Sequence, residues 1–129
     1  MSLKKDNYKS SDKKIMNFAV NLAENNKYIT GTNPSVGCVI VKNNKILSFA
    51  TTNYGGRPHA ESIALNKNRS NKGTSLYSTL EPCSHHGVTP PCTNAIIKNK
   101  VKRVYYSIED KDLRTFNKTK KILKSKKII

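Results

Sequence analysis

The sequence predicts an α/β fold, a three-layer α-β-α sandwich with a central mixed sheet. Two features carry the prediction. Short runs of β-branched and aromatic residues alternate with segments of helical periodicity, in the order α-β-β-α-β-α-β-α. The 129 residues contain no linker, internal repeat or low-complexity block. One domain over residues 1–129 is therefore expected, with residues 1–11 or so flexible at its start.

Each element has its own signal. Asp12 is a candidate N-cap for a helix reaching about Asn25, with Ile15, Phe18, Ala19, Leu22 and Ala23 on one face. VGCVIVK and KILSFA read as strands joined at Asn43-Asn44, residues that tolerate the positive φ of a tight hairpin turn. Pro58 can open a helix covering HAESIALNK, because the first N–H of a helix is unpaired anyway. SLYSTL is a third strand. Pro91 opens the helix CTNAIIKNK, RVYYSI is a fourth strand, and a last helix runs from about Phe116 to Lys126. The closing Lys-Lys-Ile-Ile reads as the start of a further strand.

Composition narrows the class. No run of about 18 apolar residues exists to span a membrane. The opening MSLKKDNYKSSDKK lacks the apolar stretch of a signal peptide. Three cysteines, an odd count in a chain of this length, favour a reducing cytoplasm in which clustered Cys and His bind metal. A cytoplasmic location is expected. Cys38, inside the apolar run VGCVIV, reads as a small core residue. The net charge of +16 comes from 24 Lys and Arg against 8 Asp and Glu, and twenty of the 24 are Lys. Those lysines are spread along the chain, and KTKKILKSKK carries apolar residues at helical spacing like an ordinary solvated helix. Nucleic-acid binding is not expected. An anionic small-molecule substrate is as well served by such a field.

The chemistry lies in PHAE and PCSHHGVTPPC. Residues two apart on a helix point in nearly opposite directions, but side chains of a first turn lean back toward the N-terminus. His59 and Glu61 can thus both reach a point beyond the helix end. Cys92 also lies at a helix start, behind Pro91, so two positive dipole ends converge where thiolates are favoured. His59, Cys83 and Cys92 offer Zn2+ three ligands, one fewer than a structural site uses, leaving a position for water. A bound zinc brings that water's pKa toward about 7, and Glu61 is near enough to move its protons. A finger-type site does not fit, since adjacent His85-His86 and an eight-residue gap between the cysteines lack its spacing. A four-ligand structural site using His85 or His86, and a Cys83–Cys92 disulfide, are the other readings of the same residues.

These residues resemble the zinc-dependent cytidine/nucleotide deaminases, whose signature is H-x-E followed by P-C-x-x-C. It takes the form His59-Ala60-Glu61 and Pro82-Cys83…Cys92 here. The long form TLEPCSHHGxTPPC is similar to the deaminase domain of the bifunctional riboflavin-biosynthesis deaminase/reductase. TNPSVGCVIV, GGRPHAE and VKRVYYSIEDKDLR support the likeness, which extends from about Ile15 to Ile128. The resemblance implies a cytidine-deaminase-like fold and hydrolysis of the ring 2-amino group of diaminohydroxyphosphoribosylaminopyrimidine to a carbonyl, with ammonia released. Zinc would be held by His59, Cys83 and Cys92, Glu61 would move protons, and Asn33, Asp110 and Asp112 would bind substrate. Glu81 is a further carboxylate beside the cysteines. Thr52 stands where the family often has His, and Val88 where it usually has Lys or Arg; Arg57 and Lys111 are nearby cations.

The partners implied are a small pyrimidine nucleotide substrate, further copies of the chain in a homo-oligomer, and an NADPH-dependent reductase, either a separate chain or a domain missing from this sequence. Two other functions fit parts of the pattern. One is deamination of another nucleobase, nucleotide or tRNA adenosine, against which the eight-residue gap argues. The other is a basic RNA-binding module with structural zinc, which would leave Glu61 without a role.

Overall fold

The computed structural model describes residues 9–115 and 118–129. The elements run in the expected order: α1 (Ser10–Asn25), β1 (Gly37–Lys42), β2 (Lys45–Thr51), α2 (Ala60–Asn66), β3 (Ser75–Leu80), α3 (Cys92–Lys98), β4 (Arg103–Ile108) and α4 (Lys118–Ser125). A 3-10 turn at Tyr54–Gly56 precedes α2. Asn43 and Asn44 both take positive φ, 51° and 61°, as the hairpin between β1 and β2 requires.

Helix starts differ from the sequence reading in an instructive way. Lys9, not Asp12, caps α1. Asp12 sits one turn inside and reaches back, its carboxylate accepting the Lys9 N–H at 2.8 Å, while its other oxygen takes the Tyr77 hydroxyl. Residues 9–11 are therefore cap and first turn; the rest of the segment expected to be flexible, residues 1–8, lies outside the described residues. So does Phe116, where the last helix was expected to begin. At α2 the proline stands one residue earlier than expected. His59 is extended, with φ −69° and ψ 155°, and its carbonyl accepts the first helical bond from the Ile63 N–H. At α3 the start falls where the sequence places it: Pro91 is the cap and Cys92 the first helical residue.

The sheet order is β2-β1-β3-β4. Strand β1 is antiparallel to both neighbours, and β3 and β4 are parallel, so the sheet is mixed. Alternation along the strands divides the core. Cys38, Ile40, Ala50 and Leu76 pack with Ala60, Ala64 and Leu65 of α2, Ile96 of α3 and Leu123 of α4. Val39, Val41, Tyr77 and Tyr105 meet Met16 and Ala19 of α1 on the other face. Cys38 is a fully buried free thiol within the first cluster. The closing residues do not form a strand, but the Ile129 backbone accepts from the Val104 N–H at 2.9 Å and donates to the Lys102 carbonyl at 3.1 Å beside β4.

The parallel pair joined through α3 sets the polarity of the molecule. β3 and β4 end on the same side, where the segments after Leu80 and after Ile108 emerge together. Ligands of α/β sheets gather beyond such strand ends.

Gly37 fixes how closely α1 lies on the sheet, because a Cβ there would stand 1.9 Å from the Ala19 carbonyl oxygen. Gly37→Ala is expected to cost at least about 2 kcal/mol of folding stability, read from chemical denaturation.

Candidate active site

The approach to α2 is held from both sides. The Gly55 N–H donates to the Ile29 carbonyl at 2.8 Å, and Asn33 Nδ2 donates to the Gly56 carbonyl at 2.9 Å. Gly56 takes φ 96°, and a Cβ there would meet Asn33 at 2.9 Å, so only glycine lets the chain pass this point. Beyond it the extended His59 directs its ring past the helix end, and Glu61 follows in the first turn of α2.

The cysteines come from the other direction. The Glu81 N–H bonds to the Ile108 carbonyl at 2.8 Å, which carries Cys83 out past the end of β3. Cys92 returns at the start of α3. The Cys92 N–H donates to Cys83 Sγ at 3.2 Å, and the Thr93 N–H donates to the Cys83 carbonyl at 3.2 Å. The two thiols are free.

His59 Nδ1 lies 3.8 Å from Cys83 Sγ and 3.4 Å from Cys92 Sγ. One donor atom from each of the three residues falls within 4.8 Å of the others. Tetrahedral zinc with ordinary Zn–S and Zn–N bonds separates such donors by about 3.5 Å. The donor set and its spacing fit zinc. Glu61 is only 3 % exposed, with Oε2 3.8 Å from Cys92 Sγ and Oε1 3.2 Å from the Ser78 hydroxyl.

The sulfurs share charge unequally. The hydrogen bond from the Cys92 thiol lowers the Cys83 pKa to about 4, helped by His59 and the Cys92 amide against the opposing effect of burial. Cys92 is pushed up by the same bond and by its own burial, so it keeps the proton. His59 is raised, chiefly by its hydrogen bond to Cys83 and against its burial. Burial raises Glu61, while its backbone amide, His59 and Ser78 pull the other way. A carboxyl poised in this manner suits proton transfer near neutrality.

The structure thus brings His59, Glu61, Cys83 and Cys92 together. Asn33 braces the turn before α2, its amide oxygen directed to no protein donor among the described residues. Asp110 accepts the Asp112 N–H at 2.9 Å, and Asp112 is gripped by Arg114, with Nη2 2.6 Å from Oδ2. This pairing depresses the Asp112 pKa. Thr52 is buried, accepting the Val36 N–H and donating to the Pro34 carbonyl, so its hydroxyl serves the fold. Val88 is 85 % exposed on the cysteine loop. Glu81 is buried, and burial raises its pKa against the opposing pull of the Thr119 hydroxyl and the Asp110 amide.

Three contacts escaped the sequence reading. Ser78 was one that could have been found: it lies between Leu76 and Leu80 on the inward face of β3, where a hydroxyl signals a polar partner. Thr115 and Thr119 gave no such signal. The Thr115 hydroxyl lies 2.7 Å from His85 Nδ1, and Thr119 donates to the Pro82 carbonyl at 2.6 Å, mooring the cysteine loop.

Comparison with known proteins gives one consistent result. Residues 9–108 match the family model described as the cytidine and deoxycytidylate deaminase zinc-binding region. The riboflavin biosynthesis protein RibD of Aquifex aeolicus is 47% identical over 100 residues, which are 77% of this chain and 28% of that protein. A diaminohydroxyphosphoribosylamino-pyrimidine deaminase of Buchnera aphidicola subsp. Schizaphis graminum is 44% identical over 100 residues, 77% of this chain and 68% of that one. Among solved structures, RibD of Acinetobacter baumannii superposes with a TM-score of 0.86 at 39% identity, covering 92% of this chain and 34% of that one. The chain therefore spans about a third or less of the RibD proteins it matches.

Zinc must displace the protons on its donors. With Cys83 already a thiolate at neutral pH, the protons come from Cys92 and from the charged fraction of His59. Titrating zinc into metal-free protein at pH 7 is expected to release between about one and two protons per ion, followed with an indicator dye, and affinity is expected to fall as pH falls.

Proposed function

Because the chain belongs to the cytidine and deoxycytidylate deaminase zinc-binding family, we propose that it hydrolyses an amino group from diaminohydroxyphosphoribosylaminopyrimidine in riboflavin biosynthesis. The observation that carries this reading is the donor group of His59, Cys83 and Cys92 with a buried carboxylate 3.8 Å from one sulfur. The likeness to the Buchnera deaminase, which covers 68% of that protein, narrows the substrate.

The roles follow from position and charge. When held by His59, Cys83 and Cys92, zinc supplies the Lewis acidity that makes water nucleophilic near neutral pH. Glu61 receives the proton of the attacking water and passes it to the ring nitrogen beside the reacting carbon. It then carries the second water proton to the amino group, which leaves as ammonia while the carbon becomes a carbonyl. One carboxyl can act as base and then as acid because burial keeps its pKa above the usual carboxylate range. Ser78 steadies one Glu61 oxygen from β3. The burial of Glu61, Ala60 and Cys92 keeps bulk water from competing for those protons.

Asn33, Asp110 and Asp112 are the proposed substrate contacts. Asn33 has its amide oxygen to offer, whereas Asp112 engages a ligand only by loosening Arg114. The reading also includes a homo-oligomer of this chain and an NADPH-dependent reductase activity acting on the product. No helix among the described residues is long and apolar enough to cross a membrane.

Glu61→Gln keeps the size of the side chain and removes the titrating group. It is expected to lower kcat for ammonia release by about 10²- to 10⁴-fold while zinc content stays at one per chain. Steady-state assay on the aminopyrimidine phosphate together with metal analysis checks both halves.

A further inference from the structure

Arg57 stands two residues before His59, half-buried, with its guanidinium turned into the cysteine loop. Its Nη1 donates to Thr89 Oγ1 at 2.8 Å. Its Nη2 lies beside Gly87, near enough that a Cβ on that residue would come within 3.5 Å. Nη1 is also 3.5 Å from His59 Nε2. A guanidinium has five N–H donors and no acceptor. Thr89 takes one of them, and no carboxylate pairs with Arg57 among the described residues.

The other charges around the site make this cation stand out. Glu61, Glu81, Asp110 and the Cys83 thiolate are all acidic groups of this end of the sheet. Arg114 is already neutralised by Asp112 through two nitrogens. Beside the donor group, Arg57 is the guanidinium that no carboxylate neutralises among the described residues, free to meet an anionic substrate. Its fork suits a phosphate.

We propose that Arg57 is a specificity-determining residue that binds the phosphate of the substrate, an inference that rests on the aminopyrimidine phosphate reading above. Thr89 holds the guanidinium in place, and the remaining donors face the anion.

The test compares Arg57→Gln, Arg57→Lys and Thr89→Val on the aminopyrimidine phosphate and on the same compound with its phosphate removed, with zinc content measured for each. Arg57→Gln is expected to raise KM for the phosphorylated compound by about tenfold or more, with a much smaller effect on kcat. The penalty shrinks on the dephosphorylated compound, Arg57→Lys recovers part of the loss, and Thr89→Val, which keeps the charge, does less harm. An unchanged KM, an equal loss on both compounds, loss of zinc, or a Thr89→Val variant as impaired as Arg57→Gln overturns the role of Arg57 alone. An unsubstituted chain that releases no ammonia from the phosphorylated compound overturns the functional reading as well.

Discussion

The pair of backbone bonds that joins Cys92 and Thr93 to Cys83 is the constraint on which the site depends. One N–H meets the Cys83 sulfur and the next meets its carbonyl, both at 3.2 Å. Together they close the loop between the cysteines at its neck. The eight residues outside the neck can then be long without moving the sulfurs, since lengthening a closed loop adds little entropy. The same clamp ties α3 to the end of β3, so the donors inherit the rigidity of the sheet. His59 arrives from a different helix, and its distance to each sulfur is set by how α2 and α3 pack over Ala60, Ala64 and Ile96.

Charge at the site is arranged around that geometry. The clamp amide stabilises one thiolate, and the other sulfur keeps its proton because it is buried and lies against the first. Glu61, buried beside them, is raised for the same reason. A divalent ion relieves this crowding, because it neutralises the thiolates and leaves the carboxyl as the group that still titrates. One metal donor and the proton carrier thus come from one short stretch, His59 to Glu61, and the other two donors are the cysteines Cys83 and Cys92.

The fold was legible wherever local chemistry decides. SLYSTL and RVYYSI matched β3 and β4 at both ends, because each is a run of strand-formers bounded by turn residues. Asn43 and Asn44 marked the hairpin, because few other residues accept two positive φ values in succession. The start of α2 was displaced because a proline at a helix entrance fits equally well inside the first turn or just before it. Only the extended backbone of His59 distinguishes the two. At the site, the residues with strong chemistry could be grouped from the sequence, and the structure brings four of them within reach of one another. Their supports could not. Thr115 and Thr119 act across 30 and 37 positions, and no local pattern marks a threonine as the anchor of a distant loop. Asp112 is the opposite case. Arg114 is two residues away, and their pairing was open to a closer local reading.

The anchoring threonines also bear on how the protein is made. His59, Cys83 and Cys92 all precede Thr115 and Thr119 in the chain, so a ribosome delivers the three donors before it delivers the residues that moor them. β4 emerges late too, and with it the Ile108 carbonyl that receives the Glu81 amide. During that interval the nascent polypeptide displays a thiol-rich segment with its neck unsupported. The loop gains its last anchor only when α4 settles against Pro82.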